Sequence, residues 1–278
     1  MASGSEMKNP RLNLKELGLA PIRLRSQNFL KDTRVSEKIS SLILNEASEN
    51  TKILEIGPGL GALTRPLLDK GAEVVAIELD KGLAEQMLAF PEVKTGKLKV
   101  IIGDALKIKA EDLPEGLFLV CGNLPYNIST PLLFWFLEVF SAQSSGIFML
   151  QKEFAEKLIA KPKTKEYGRL TVALSTFFKI SIPYHVNPSA FHPKPKVESS
   201  VVIFRPKEGK AEIDIKVLEK LTRIAFHSRR KTILNNLLQA FEKEKVIKLL
   251  DDLGLLPSQR PETITPEIYV EMARMLLG

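Results

Sequence analysis

Between Lys52 and Gln151 short, mostly apolar runs recur at Ile53–Ile56, Val74–Leu79, Leu98–Ile102, Leu117–Cys121 and Ile147–Leu150, separated by helical patterns. Runs this short, bounded by turn residues and alternating with helices, predict a parallel α/β sheet. One intervening helix is expected to begin near Thr130 as N-cap, with Pro131 at the first helical position, where a missing N–H costs nothing. After Arg169 the pattern changes. Phe177–Val186 and Ser199–Phe204 read as a pair of strands joined by a stiff loop from Pro188 to Pro195, and Pro206–Gly209 reads as a linker. From Ile213 the period is helical, with Val217, Leu218, Leu221, Ile224, Ala225, Thr232, Leu234 and Leu238 spaced for a buried stripe. Further helices are expected over Lys245–Leu253 and, after Thr265 as N-cap and Pro266 at the first position, over Glu267–Leu277. The pattern thus predicts an α/β domain over 7–208 and a small all-helical domain over 209–278.

Composition narrows the classes. The 278 residues suit one or two domains at roughly 150 residues each, and 44% apolar with 26% charged residues excludes wholesale disorder. The longest apolar stretch, Pro131 to Phe140, contains Glu138 and falls far short of the roughly 20 residues that span a bilayer. Met1–Glu6 is small and polar and reads as an expression scar ahead of a start at Met7, with no secretory pattern. A lone cysteine, Cys121, excludes an intramolecular disulfide, and His185, His192 and His227 offer no metal-ligand spacing, so no metal is expected and a reducing cytoplasm fits. The net charge of +7 favours a polyanionic partner. The excess gathers at Lys161, Lys163, Lys165 and Arg169, at Lys194, Lys196, Arg205, Lys207 and Lys210, and at Arg229, Arg230 and Lys231. Any one of these clusters taken alone reads first as a solvated face, since charge runs usually just keep a face wet.

Candidate chemistry starts where the first strand of the α/β region runs into Glu55-Ile-Gly57-Pro-Gly59-Leu-Gly61, a glycine-rich turn that lets the backbone approach a ligand and opens a helix at Ala62. The turn satisfies the dinucleotide pattern as well, so by itself it leaves NAD and S-adenosylmethionine both open. Glu78, ending the second strand, can accept from both ribose hydroxyls of either cofactor. Asp104, after the third, is placed to accept from an adenine amino group, or else to cap a helix. Asn123-Leu124-Pro125-Tyr126, after the fourth, is more specific. An exocyclic amine attacks poorly because its lone pair is delocalised into the ring. The Asn123 amide oxygen and the Leu124 carbonyl can accept its two N–H bonds and favour a nucleophilic geometry. Pro125 stiffens the turn, and Tyr126 offers a face for the base.

These residues, with Gln27-Asn28-Phe29-Leu30, Ala76-Ile-Glu78-Leu-Asp80, Gly103-Asp104-Ala105 and Phe191-His-Pro193-Lys-Pro195-Lys-Val197, make the chain resemble the bacterial small-subunit rRNA adenine N6,N6-dimethyltransferases over nearly its whole length. The resemblance implies a Rossmann-like, S-adenosylmethionine-dependent methyltransferase domain with a C-terminal helical RNA-binding domain. It implies that Asn28 and Leu30 close over the methionine part of the cofactor, that Gly57, Glu78 and Asp104 hold the rest, and that Asn123 bridges cofactor and base. Phe191 would complete a stacking clamp with Tyr126, although its bottom-up alternative is core packing. Lys161, Lys163, Lys165, Arg169, Arg229, Arg230 and Lys231 are expected on RNA phosphates. The implied protein is a cytoplasmic monomer acting on small-subunit ribosomal RNA, within a partly assembled subunit, with no membrane partner. His227 to Leu237 and Arg260-Pro261-Glu262 resemble the small-subunit branch. The alternatives are a large-subunit rRNA methyltransferase of the resistance type and a catalytically inactive RNA-binding assembly factor. A nicotinamide-linked dehydrogenase would account for the glycine turn and leave Asn123–Tyr126 unexplained.

Overall fold

A computed structural model describes residues 28–125, 128–140, 143–209 and 212–277; the expected scar at 1–6, the extension from 7 through Gln27, and Tyr126 and Lys210 lie outside the described residues. In chain order the elements are β1 (Phe29–Leu30), α1 (Thr33–Glu46), β2 (Lys52–Ile56), α2 (Thr64–Asp69), β3 (Val74–Glu78), α3 (Lys81–Leu88), α4 (Pro91–Lys94), β4 (Leu98–Ile102), β5 (Phe118–Asn123) and α5 (Ser129–Val139). They continue with β6 (Gly146–Gln151), α6 (Lys152–Leu158), α7 (Arg169–Phe177), β7 (Phe178–Val186), β8 (Phe191–His192), β9 (Ser199–Pro206), α8 (Ile215–Ala225), α9 (Ile233–Leu237), α10 (Lys243–Asp252) and α11 (Pro266–Leu277). None of the described helices is long and apolar enough to cross a membrane.

Seven strands form one sheet in the order β4-β3-β2-β5-β6-β9-β7, and β2 through β6 are parallel. This is the expected α/β, Rossmann-like arrangement. The chain builds outward from β2 to β4, then returns to the other side of β2 with β5, so the order reverses between β2 and β5. Loops leave the carboxyl ends of those strands in opposite directions there and open a crevice. Gly122 is what lets them meet: a Cβ on it would stand 2.4 Å from the Ile56 carbonyl oxygen, so any larger residue would push β5 off β2. β1 and β8 form a separate antiparallel ribbon, Phe29 opposite His192 and Leu30 opposite Phe191.

Contacts gather the chain into two compact units. One holds the chain up to Trp135 with Ser144–Lys152 and Ile182–Ile203, and the other holds Phe136–Gln143, Glu153–Ser181 and Phe204–Gly278. The expected boundary at 208/209 does not coincide with this division, because α7 packs with α8 and α11 rather than leaving the helical tail to stand by itself. The first unit's core is Ile39, Ile43, Ile53, Leu67, Ala76, Leu119, Ile147, Val201 and their neighbours. In the second, Phe178 stacks on Phe136 with centroids 5.3 Å apart and meets Phe204 edge-on, while the Phe226 ring sits between Tyr167 and Tyr269.

Local chemistry moves several expected boundaries. The helix expected to start at Pro131 behind Thr130 as N-cap starts at Ser129, whose hydroxyl donates to the Pro125 carbonyl at 3.0 Å. Pro131 still sits in the first turn, among the N–H positions that have no partner inside a helix. The glycine turn holds its shape longer than expected, and α2 begins at Thr64 rather than Ala62. Phe177 closes α7, since the Phe178 amide still bonds back to the Leu174 carbonyl, and the strand starts one residue later. Pro206–Gly209 is not a free linker: β9 runs through Pro206, and the Lys207 amide donates to the Phe177 carbonyl at 2.8 Å. The single stripe expected from Val217 to Leu238 is two short helices. Thr232 caps the second by accepting from the Asn235 amide, and Ile233, Asn236 and Leu237 are buried where Leu234 and Leu238 are only half-buried.

Candidate active site

At the switch between β2 and β5 lies an open crevice, lined by the glycine turn on one side and by Asn28–Leu30 and Asn123–Pro125 on the other. Gly57 and Gly59 hold φ of 64° and 59°, a left-handed conformation that side chains resist. A Cβ on Gly59 would also press on the Phe29 ring at 3.1 Å, so the turn and β1 are in close contact.

Two buried carboxylates stand behind this turn. Glu78 accepts from the Gly59 amide at 3.0 Å through Oε2 and from the Asp80 amide at 2.9 Å through Oε1, which fixes both oxygens and leaves lone pairs for a ligand's hydroxyls. Burial raises its pKa, those backbone bonds opposing the shift. Glu55 also lines the cavity; its Oε2 accepts from the Thr64 hydroxyl at 2.6 Å, tying β2 to α2. Burial, with Glu78 adding like charge, pushes the Glu55 pKa up to about 7 despite that hydrogen bond. Asp80, part of the same motif, caps α3 by accepting from the Gly82 and Leu83 amides.

Asp104 accepts from the Leu106 amide at 3.0 Å through Oδ1 and caps a short 3-10 turn, a bond that does not use Oδ2. Beside Asp104 and Glu78 stand three apolar side chains that the sequence reading passed over: Leu79, 70% exposed, Ile102, 47%, and Leu106, 38%. Leu79 follows β3, Ile102 ends β4 and Leu106 lies in the 3-10 turn beyond it, so all three stand past or at the carboxyl edge, where a flat apolar ligand would cover them. Their exposure is legible only in three dimensions, since in sequence they read as ordinary strand and helix residues.

Asn123 ends β5 with its side chain half-buried, and its Nδ2 donates to the Asn28 carbonyl at 2.8 Å. A main-chain carbonyl can only accept, so this contact selects the amide orientation in which Oδ1 is the acceptor end, without a partner among the described residues. The Leu124 amide is held by the Met149 carbonyl at 3.1 Å, and Leu124 and Pro125 line the cavity. Leu30 lines it too while packing into the core. Phe191 is not among the lining residues: it is 1% exposed and packs within the first unit's core. The cause is the β1–β8 ribbon, which sets Phe191 opposite buried Leu30.

The expected phosphate-binding residues fall in the second unit. Lys161, Lys163 and Lys165 are exposed on a loop whose Lys163 amide donates to the Glu262 carbonyl at 2.7 Å, and Arg169 opens α7 half-buried. Tyr167, from the same loop, donates to the Ile264 carbonyl at 2.9 Å. Arg229, Arg230 and Lys231 are exposed on the turn between α8 and α9. A buried residue holds that turn: the Asn236 side chain accepts from the Ser228 amide and donates to the Ser228 carbonyl. No cluster of three or more metal-ligating side chains occurs among the described residues.

Comparison with known proteins agrees with this geometry. A family model described as ribosomal RNA adenine dimethylase matches residues 23–276. The chain is 41% identical over 254 residues to the ribosomal RNA small subunit methyltransferase A of Vibrio atlanticus (strain LGP32), covering 90% of this chain and 91% of that one. It is 41% identical to the protein of the same name from Legionella pneumophila (strain Corby), covering 92% and 98%. Among solved structures, a dimethyladenosine transferase from Plasmodium falciparum is similar at TM-score 0.69 and 27% identity, covering 88% of this chain and 95% of that one. The 23S rRNA methyltransferase ErmE is similar at TM-score 0.62 and 27% identity, covering 90% and 99%.

Proposed function

The chain belongs to the ribosomal RNA adenine dimethylase family, and from that premise we propose that it transfers methyl groups from S-adenosylmethionine to N6 of adenines in small-subunit ribosomal RNA, giving N6,N6-dimethyladenosine during small-subunit maturation in the cytoplasm. The observation that carries this reading is the Asn123 amide, held by Asn28 with its oxygen unpartnered among the described residues, beside the crevice of the glycine turn.

The residues present fit the cofactor. Glu78, fixed by two backbone amides, suits a ribose diol, Asp104 suits an adenine amino group, and Leu79, Ile102 and Leu106 offer the apolar surface an adenine ring would cover. Glu55 suits the ligand's positive end, and Gly57 lets the backbone approach it. When bound, the cofactor supplies a methyl group on an electron-poor sulfonium. The protein's part is to present the nucleophile. Asn123 Oδ1 and the Leu124 carbonyl accept the two N6 hydrogens and draw the lone pair out of the ring plane toward the methyl. The adenine must leave its stack to reach them, and Tyr126, with Pro125 holding the turn, is the face it would stack on. After attack the N6 proton is acidic, so no strong base is required. One N–H remains after the first transfer, and one acceptor suffices for the second. Phosphate contacts from Arg229, Arg230, Lys231 and the Lys161–Arg169 segment would position the RNA without choosing the base.

Relatives at about two-fifths identity, named for the small subunit, support that RNA over the large-subunit RNA named for ErmE. Mass spectrometry of adenines in unmodified small-subunit RNA, incubated with the protein and S-adenosylmethionine, should show monomethyl then dimethyl adenine. Cofactor and RNA binding without any transfer would favour the inactive assembly factor, and methylation of large-subunit RNA alone would favour the resistance-type enzyme.

A further inference from the structure

We propose that the loop from Pro193 to Val197 is a phosphate-binding rim of the active site, on which Lys194 and Lys196 take the RNA backbone beside the adenine being methylated. The inference rests on the methyltransferase reading above and adds contacts that the first unit itself supplies.

Both ends of the loop are anchored close to Asn123. On one side His192 lies opposite Phe29, and Asn28, the next residue of that strand's lead-in, gives its carbonyl to the Asn123 amide. On the other side the Glu198 carbonyl accepts from the Lys152 amide at 3.0 Å. Lys152 directly follows β6, in which Met149 is the register partner of Asn123. With adjacent strands about 4.8 Å apart and about 3.3 Å of rise per residue, Lys152 lies roughly 10 Å from Asn123. A loop tied down this way keeps Lys194 and Lys196 within about a nucleotide or two of the reacting base.

The loop is also stiff and its charge unanswered. Pro193 and Pro195 fix φ at alternate positions, and Pro195 is buried while Lys194 and Lys196 are exposed on either side of it. Lys152 is paired with Glu198, Nζ to Oε2 at 2.8 Å. Among the described residues Lys194 and Lys196 have no carboxylate within ion-pair distance. Two uncompensated ammonium groups held beside a cavity that takes a nucleobase match the phosphates on which that base arrives.

The test tethers an iron–EDTA cleavage reagent to Lys194→Cys; the native Cys121 is fully buried and does not compete. Strand scission is expected within a few nucleotides of the methylated adenines, and not from Lys94→Cys on α4. In parallel, Lys194→Ala with Lys196→Ala should raise the KM for RNA about tenfold and lower the slope of log K against log salt by about 1.5, leaving the affinity for S-adenosylmethionine unchanged. Absent or control-like scission, or an unaltered slope, while the parent protein methylates the same RNA, overturns this inference alone. A parent protein that methylates no RNA adenine overturns the functional reading and this inference with it.

Discussion

The Asn123 side chain donates to the main-chain carbonyl of Asn28 at 2.8 Å, across 95 residues of sequence. The bond uses the donor end of the amide and leaves the acceptor end for a ligand. The strap that borders the crevice therefore also orients the side chain proposed to act in catalysis.

Replacing Asn123 by Ala removes a preorganised acceptor. Methyl transfer should slow by about 10²–10³, the usual cost of one such transition-state hydrogen bond, with RNA affinity nearly unchanged. Single-turnover transfer and filter binding on the same preparation measure the two quantities; a parent-like rate would remove Asn123 from the chemistry.

Glu55 makes stability depend on pH. Its pKa is raised from 4.5 to about 7 in the folded protein, so between those values the native state holds the proton that the unfolded chain has released. Stability contributed below pH 4.5 is lost as pH rises through about 7, on the order of 3 kcal/mol in all. Glu78, also raised, acts in the same direction. Glu55→Gln should be more stable than the parent at pH 8 and much less so at pH 5, read by urea denaturation without cofactor. Parallel pH profiles for the two proteins would contradict the assignment.

Phe191 separates packing from stacking. Phe191→Ala should cost about 3–5 kcal/mol as a core deletion, whereas Phe191→Leu should keep most of the stability. If the Leu variant also keeps its transfer rate, the ring serves the core; a stable Leu variant with transfer reduced tenfold or more would restore the stacking clamp with Tyr126.

Asn236→Ala should destabilise the second unit by about 1–3 kcal/mol, since it strands the Ser228 amide and carbonyl. The turn bearing Arg229, Arg230 and Lys231 loses its support, so the salt slope of RNA binding should fall as it does for Arg229→Ala with Arg230→Ala, by about 1 per lost phosphate contact. Were the slope to stay at the parent value in both variants, the basic turn would be only a solvated face.

Much of this was legible along the chain. Buried parallel strands announce themselves as short apolar runs because both faces are covered, and all five expected strands of the first sheet half occur within a residue or two of their expected ends. The glycine turn, Glu78 and Asn123 declared themselves by residue type at strand ends, since φ > 0 and hydrogen-bonding capacity are properties of the residue itself.

Tertiary structure decided the rest, because burial and partnership depend on what lies across space. That Phe191 is buried follows from its pairing with Leu30, and that Leu79 is exposed follows from where the sheet edge falls. The close approach that excludes a side chain at Gly122 involves a carbonyl 66 positions earlier, Ile56, and no local pattern records it. The bonds by which Asn236 holds the Ser228 turn form only when that turn is folded against it. Residue chemistry determined which groups could act; the long-range contacts determined which of them are free to.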